Sequence, residues 1–336
     1  MSFVSALSSN KTEILCGGRH QNYSEVLDKL FAGISSLNVD LVFFLDGAIQ
    51  DTKFGTWAKR QNMKYDLNLE IMDQIYDELP LRDVVRKYGS LVYTNTLLSA
   101  IEASCKKFGQ LHYAVDQECD FEIAQYSYEN PRVLAVFSND TDFLIFPGNF
   151  RYFSTKDLNF SSLKTKEFDR KVLHNHLGLT NFQRAIFATI AGNDIVPFRD
   201  LQNFHMNFGF TNKRKFPGIA NYIKFNFSNM EILTLVVNFI AKEIYGNAYE
   251  KFAHKIGNSI KSYQVEKCEK IPENPTRIFL RQHHVFTYNI LNELPVNFSL
   301  VFVDLRQNDW PTYHDLIVPM FQIGRASCRE RVLLMV

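Results

Sequence analysis

Short apolar runs that end in acidic residues are the feature that most constrains the fold of this chain. The run 133–137 is followed by Asp140 and Asp142, and two further acids, Glu118 and Asp120, come shortly before it. Carboxylates two residues apart repel one another, and burial raises the free energy of keeping them ionised. Because a divalent cation relieves both penalties, the segment predicts a Mg²⁺ or Mn²⁺ site made of carboxylates.

The spacing of apolar residues predicts strands that alternate with helices in the first part of the chain. Nearly continuous apolar runs, typical of parallel strands covered on both faces, predict strands at 39–45, 111–115 and 133–137, with a fourth at 150–153. Helical spacing predicts helices at 23–37, 54–79, 94–108 and 120–128. This order predicts an α/β fold with a mostly parallel sheet flanked by helices.

The later part of the chain changes character and predicts a mainly helical region. Helices are expected at 166–177, 181–191, 230–245 and 249–262, with a polar, proline-containing linker at 267–276. We therefore expect an α/β domain over 1–200 and a helical extension over 201–322. Residues 323–332 read IGRASCRERV and can be back-translated into a common sequencing adapter, which predicts that 323–336 is a non-native tail.

Composition excludes several classes of protein. With 336 residues and 46% hydrophobic composition the chain can bury a large core, and a net charge of +1 argues against a polybasic nucleic-acid binder. The five cysteines are scattered without a CxxC pair, which argues against structural zinc and a disulfide framework. No apolar stretch is long enough to span a bilayer and no signal peptide is visible. We expect a nuclear or cytoplasmic protein that is not secreted and does not contact a membrane.

The acids follow predicted strands or helices in a way that would bring them together. In open parallel sheets, ligand sites lie beyond the carboxyl ends of the strands. Two metal ions about 3.5–4 Å apart would suit phosphodiester hydrolysis, with no side-chain nucleophile required. The predicted metal ligands are Asp46, Glu118, Asp120, Asp140, Asp142 and Asp194.

Taken singly, three of these acids have simpler interpretations. Asp46 precedes Gly47 and could belong to a turn, Asp120 could cap a helix or complement its macrodipole, and Asp194 could end a helix. The two pairs Glu118/Asp120 and Asp140/Asp142 favour metal binding, because clustered carboxylates usually need a cation or a function.

The motifs VFFLDG, ECDFEIA, SNDTDFLIF and AGND resemble, as a series, the flap-endonuclease (XPG-type) branch of PIN-like nucleases. The resemblance covers about 39–197. It implies a PIN-like sheet and two magnesium ions, held by the six matching acids, that cleave nucleic-acid backbones.

Finer features of the sequence are Cys16-Gly17-Gly18, the segment 57–60, Tyr152-Phe153-Ser154 and IFATIAGNDIVP. Together they resemble the family of constitutive coactivators of peroxisome proliferator-activated receptor gamma. The asteroid family is a close competitor, mainly through SNDTDFLIF. The coactivator resemblance implies RNA binding and protein partners in transcription or signalling.

The chain also departs from the flap-endonuclease pattern. No residue before Asp46 supplies a first-strand aspartate, which predicts that the first strand is missing, and 195–210 lacks the glycines of a helix-hairpin-helix. The expected nucleic-acid contacts are Lys59, Arg60, Lys213, Arg214 and Lys215. These departures favour an RNA-binding protein of nuclease fold, whereas the retained acids favour the alternative, a magnesium-dependent nuclease.

Overall fold

The helices and strands follow the predicted order over most of the chain. The computed structural model describes residues 20–46, 51–88, 96–114, 117–210, 214–228 and 232–266. The strands within these ranges are β1 (Leu41–Asp46), β2 (Gly109–Ala114), β3 (Ala135–Ser138), β4 (Arg151–Ser154) and β5 (Glu167–Phe168). The helices are α1 (His20–Ser35), α2 (Asp51–Tyr76), α3 (Leu81–Tyr88), α4 (Thr96–Phe108), α5 (Cys119–Glu129), α6 (Arg170–Leu177), α7 (Asn181–Ala191), α8 (Phe198–Asn207), α9 (Lys215–Asn226), α10 (Leu233–Tyr245) and α11 (Tyr249–Lys261). Short 3-10 turns add Thr141–Leu144 and Gly246–Ala248.

The predicted α/β class is confirmed, and most strand pairs are parallel. In the described residues the strands form two small sheets, β1-β2 and β3-β4-β5. Strand β1 runs parallel to β2, with Asp46 opposite Ala114, and β3 runs parallel to β4. Strand β5 is antiparallel to β4, so the second sheet is mixed. The carboxyl ends of β1 and β2 therefore meet at one edge, as expected for the acids that follow them.

Two element boundaries differ from the expectation for local reasons. The predicted helix at 166–177 begins only at Arg170, because Asp169 accepts a hydrogen bond from the Val172 amide at 2.9 Å and caps it. The residues before the cap extend instead as β5, where Glu167 forms an ion pair with Arg151 of β4. The helix predicted at 54–79 ends at Tyr76, and Pro80 then precedes α3.

Two hydrophobic clusters hold the elements together. The first surrounds β1 and β2, where Leu27, Leu30 and Phe31 of α1 pack with Val84 and Tyr88 of α3. The second joins β3 and β4 to the later helices and includes the buried side chains of Phe143, Tyr152, Ile186, Ile190, Leu201, Ile223, Ile240 and Ile256. Burying a side chain of this size contributes about 1.5–3 kcal/mol, so the two clusters supply the main driving force for folding.

Helix α5 packs against both the first sheet and the turn after β3, and it carries Asp120. Helix α5 contacts β1, β2 and the 3-10 turn that follows β3. Tyr126 packs edge-on against Phe44 of β1 with ring centroids 5.5 Å apart, and Phe121 packs against Phe146 at 6.3 Å. Ala124 is fully buried between these contacts. The helix is thereby fixed on both sides, which determines where its acidic first turn lies.

A buried arginine, Arg170, holds the chain that follows the 3-10 turn. Its guanidinium donates to the carbonyl oxygens of Gly148 at 3.1 Å and Phe150 at 2.9 Å, and also to that of Phe146. The guanidinium carbon lies 3.8 Å from the centre of the Phe150 ring. Burial and the nearby Arg184 charge lower the pKa of Arg170 to about 10, which leaves it cationic at neutral pH.

Several predictions concern residues outside the described ranges. They are the missing first strand, which was inferred from 1–19, the linker at 267–276, the non-native tail at 323–336 and the nucleic-acid contact of Lys213. Within the described ranges, no helix combines the length and the apolar character needed to cross a bilayer.

Replacing Arg170 by leucine should lower the free energy of unfolding by about 2–4 kcal/mol, because three buried carbonyls lose their donor. The measurement is urea denaturation followed by circular dichroism. Lys171→Gln, at the exposed next position of α6, is the matched control and should change stability by less than about 0.5 kcal/mol. Equal stability of Arg170→Leu and the control would contradict the structural role given to Arg170.

Candidate carboxylate centre

The acids that follow the first sheet lie at one edge of the fold. Asp46 ends β1, and the register places it beside Ala114, the last residue of β2. Glu118 precedes α5 as its N-cap residue, without a side-chain capping bond, and Asp120 lies in the first turn. Carboxylates at a helix N-terminus interact favourably with the macrodipole, which offsets part of the cost of placing them together.

Asp120 is surrounded by other carboxylates. Burial, the largest cause, acts together with the charges of Asp140, Asp46 and Asp142 and a hydrogen bond to Asp140 to raise its pKa to about 7. Burial and three of the nearby acids, Asp46, Asp120 and Glu122, also raise the pKa of the Cys119 thiol. We call Asp46, Asp120, Asp140 and Asp142 the carboxylate centre.

The Asp140-x-Asp142 pair is held by the turn after β3. The Asp140 carboxylate accepts a hydrogen bond from the Asp142 amide at 3.0 Å and caps the 3-10 turn. The hydroxyl of Tyr152 on β4 donates to the main-chain oxygen of Asp140 at 2.8 Å. Asp140 therefore has a structural role as a cap, and the same bonds fix it next to Asp120.

Tyr263, beyond the end of α11, connects this turn to the loop that carries Asp194. Its hydroxyl interacts with the side chains of Asp142 and Asn193, and burial is the main cause that raises its pKa. Tyr263 is therefore a neutral donor at physiological pH, able to stabilise a carboxylate without adding charge.

The loop after α7 is fixed through Asn193. Its side-chain oxygen accepts from the amides of Ile195 at 3.0 Å and Val196 at 2.8 Å. Its amide nitrogen donates to the hydroxyl of Ser259 at 2.7 Å, and Ser259 also bonds Thr189 at 2.8 Å. The G-N-D motif is thus anchored on α11 by its asparagine.

Asp194 follows Asn193, whose side chain contacts Tyr263 beside Asp142, and we call this loop the rim of the centre. The Asp194 carboxylate is 3.6 Å from the guanidinium of Arg60, and 54% of the side chain is exposed. The structure thus brings together Asp46, Asp120, Asp140 and Asp142, and places Asp194 in an ion pair with α2.

The expected nucleic-acid contacts lie on two helices. Lys59 and Arg60 are exposed on α2, and Arg214 is exposed just before α9. Lys215 is partly buried, and its ammonium donates to the main-chain oxygen of Ala191 at 2.9 Å. Lys215 therefore contacts the last residue of α7, and Arg60 contacts Asp194 three residues further along the chain.

The donor chemistry of the centre fits a hard divalent cation, because carboxylate oxygens are the ligands that Mg²⁺ and Mn²⁺ prefer. A cation would also remove the repulsion that raises the pKa of Asp120. Among the described residues, no three His, Cys, Asp or Glu side chains are arranged tightly enough to enclose a metal ion.

Sequence reasoning named the four acids but missed Tyr263, Tyr152 as a hydrogen-bond partner, and Ser259. Tyr152 and Asn193 lay within motifs quoted for the family resemblance, so a signal existed for them. Tyr263 and Ser259 follow no motif, and only the packing of α11 brings them to the centre.

Asp120→Asn should stabilise the protein at pH 8 in the absence of divalent cations. Folding raises the pKa of Asp120 from 3.8 to about 7. The acid therefore leaves the free energy of unfolding unchanged below pH 4 and lowers it increasingly as the pH rises towards 7. Above pH 7 this loss in the free energy of unfolding reaches about 4 kcal/mol at most. We expect the variant to be more stable than the wild type at pH 8 and equally stable at pH 4, measured by urea denaturation with chelator. Asp83→Asn, in the first turn of α3 where Asp83 pairs with Arg86, is the control; equal effects of the two changes at pH 8 would contradict the account.

Comparison with known proteins identifies three related sequences, each named constitutive coactivator of peroxisome proliferator-activated receptor gamma. The protein from Bos taurus is 29% identical over 193 residues, which cover 56% of this chain and 26% of that protein. The protein from Mus musculus is 29% identical over 193 residues, which cover 56% of this chain and 23% of that protein. The protein from Homo sapiens is 28% identical over 248 residues, which cover 72% of this chain and 25% of that protein.

The chain thus spans about a quarter of the length of the curated relatives it matches. No protein-family profile matches it. The relatives confirm the similarity to constitutive coactivators of peroxisome proliferator-activated receptor gamma that the sequence motifs predicted.

Proposed function

We propose that this chain is a nucleic-acid-binding protein of coactivator type that binds RNA at the rim of the carboxylate centre. The observation that carries the proposal is the convergence of Arg60 and Lys215 on the loop 191–194. Two cations from separate helices thereby border the centre on the side of Asp194. Exposed Lys59 and Arg214 are their chain neighbours and extend the positive rim.

The ion pair at the rim is suited to exchange. Arg60 and Asp194 are 63% and 54% exposed and 3.6 Å apart, so their pairing contributes about 0–1 kcal/mol. A phosphate can therefore replace the Asp194 carboxylate as the partner of Arg60 at little cost. Binding of a phosphate also releases counterions from the nucleic acid, which favours association at low salt.

Lys215 acts differently from Arg60. Burial lowers its pKa, and its ammonium is held by Ala191 and lies 4.3 Å from the centre of the Phe198 ring. Lys215 is therefore a charge held in one place, which positions the rim and does not contact phosphate directly. We assign the direct phosphate contacts to Arg60, Lys59 and Arg214, and the same role to Lys213.

The relatives guide the biological setting that we propose. Their name describes coactivation of a receptor. We propose that this chain likewise has protein partners in transcription or signalling. We place the protein in the nucleus or the cytoplasm. A PIN-like nuclease fold is part of the same proposal.

The second candidate function is a magnesium-dependent nuclease. The observation that favours it is the crowding of Asp46, Asp140 and Asp142 around Asp120. These four acids, with Glu118 and Asp194 in support, would hold two Mg²⁺ or Mn²⁺ ions. Such ions would supply activation of water and would stabilise the leaving oxygen. The chain's own residues keep the acids in place: Tyr152 and Tyr263 donate hydrogen bonds around the Asp140-x-Asp142 turn.

Arg60→Gln should weaken binding of single-stranded RNA about three- to tenfold and lower the salt dependence of binding by about one phosphate contact. Fluorescence anisotropy over a range of salt concentrations measures both. Arg82→Gln, exposed on α3, carries the same charge change away from the centre and should bind as the wild type does. An RNA affinity unchanged by Arg60→Gln, or no RNA binding at all, would contradict the proposal.

Asp140→Asn distinguishes the two functions, with Asp83→Asn as control. If the protein is a nuclease, the wild type and the control cleave single-stranded or flap substrates with Mg²⁺, and Asp140→Asn loses cleavage while it still binds. If it is a binding protein, none of the three cleaves and all three bind RNA.

A further inference from the structure

A cavity of about 340 Å³ opens beside the turn that carries Asp140. Asn139 and Thr141, which flank Asp140 in the chain, line one side of it, and Tyr152 forms another wall. Because the Tyr152 hydroxyl donates to the Asp140 carbonyl at 2.8 Å, the cavity and the carboxylate centre share that turn. Its volume lies at the small end of the range of about 300–1,000 Å³ found for ligand sites.

One wall of the cavity is an aromatic ring with an exposed face. Phe168 stacks on Tyr152 with ring centroids 5.3 Å apart and planes at 22°. The side chain of Phe168 is 43% exposed although it lines the cavity. An aromatic ring supported from behind and open in front is a surface on which a planar base can stack, at a gain of about 1–3 kcal/mol.

Two lysines in the lining of the cavity supply positive charge. Lys166 pairs with Asp157 at 2.6 Å and is 73% exposed, so part of its charge is already compensated. Lys156 is exposed, and its charge, like that of Lys166, lowers the pKa of Asp157. With one acid and two lysines in its lining, the cavity favours an anionic group.

Neutral donors complete the lining. The side-chain oxygen of Asn139 accepts from the amide of Lys156 at 2.7 Å and from the hydroxyl of Ser154 at 3.4 Å. These two bonds fix the amide so that its NH₂ group remains as a donor, and Thr141, which also lines the cavity, carries a hydroxyl. Donors of this kind recognise the polar edge of a base or the oxygens of a phosphate.

We propose that this cavity, the Phe168 pocket, binds a single nucleotide, with the base on Phe168 and the phosphate beside Lys156 and Lys166. The inference rests on the proposed function in one respect: the nucleotide belongs to an RNA strand bound at the carboxylate centre. A free mononucleotide has the same chemistry. The strand is favoured because Asn139 and Thr141 lie on either side of Asp140, which places the pocket one residue from the centre.

Isothermal titration calorimetry with AMP, adenosine and inorganic phosphate tests the ligand class, and anisotropy with a short adenine-rich RNA tests the source. We expect AMP to bind more tightly than adenosine or phosphate. Phe168→Leu should weaken AMP and RNA binding about tenfold, and Lys156→Gln should weaken binding of AMP and RNA but leave adenosine unaffected. Phe225→Leu and Lys171→Gln, both at exposed positions outside the lining, are the matched controls.

The outcomes separate the pocket from the proposed function. If both pocket variants weaken RNA binding and AMP does not bind, the pocket holds a nucleotide of an RNA strand. If both variants weaken AMP binding and RNA binding is unaffected, the pocket holds a free nucleotide. RNA binding that depends on Arg60 but is unchanged in both pocket variants, without AMP binding, overturns the pocket alone. Phosphate that binds as tightly as AMP in wild type and Phe168→Leu also overturns it.

Discussion

The docking of α5 between β1 and the turn after β3 is the contact on which the rest of the structure depends. Tyr126 packs against Phe44 on one side and Phe121 against Phe146 on the other, so one short helix belongs to both parts of the fold. Its apolar contacts bring the Asp120 carboxylate to Asp140 and Asp142. The gain from packing aromatic and aliphatic side chains is large enough to offset the repulsion among the acids.

The repulsion that remains gives the molecule its chemical character. A partly buried carboxyl with a pKa of about 7 is a group that a cation, a proton or a neighbouring donor can stabilise. Tyr263 supplies a neutral donor, and Arg60 supplies a charge at the rim through an exchangeable pair with Asp194. An acidic centre bordered by cations attracts a polyanion to its edge while it repels phosphate from its middle, unless a metal ion is present. The proposed binding at the rim and the proposed hydrolysis at the centre can therefore be tested separately.

The apolar runs and their acidic ends were sufficient to predict the α/β class, the parallel pairs and the residues of the carboxylate centre. A strand of two residues such as β5 carries no periodicity, so it was predicted as helix. Arg170 belongs to a helix in which the sequence suggests an exposed cation, yet it is buried because the carbonyls of 146–150 need a donor. Tyr263 could not be predicted, since its role depends on how α11 packs against α7.

The measurement that tests the central claim most directly is a pH titration of the Asp120 carboxyl by carbon-13 NMR, without and with Mg²⁺. Convergence of the four acids predicts that Asp120 titrates near pH 7. Substitution of Asp140 by asparagine should move that titration to lower pH, because it removes the neighbouring charge that raises the pKa of Asp120 most. Titration of Asp120 near pH 4 in the wild type, unmoved by the substitution and by Mg²⁺, would show that the acids do not converge and would contradict the account.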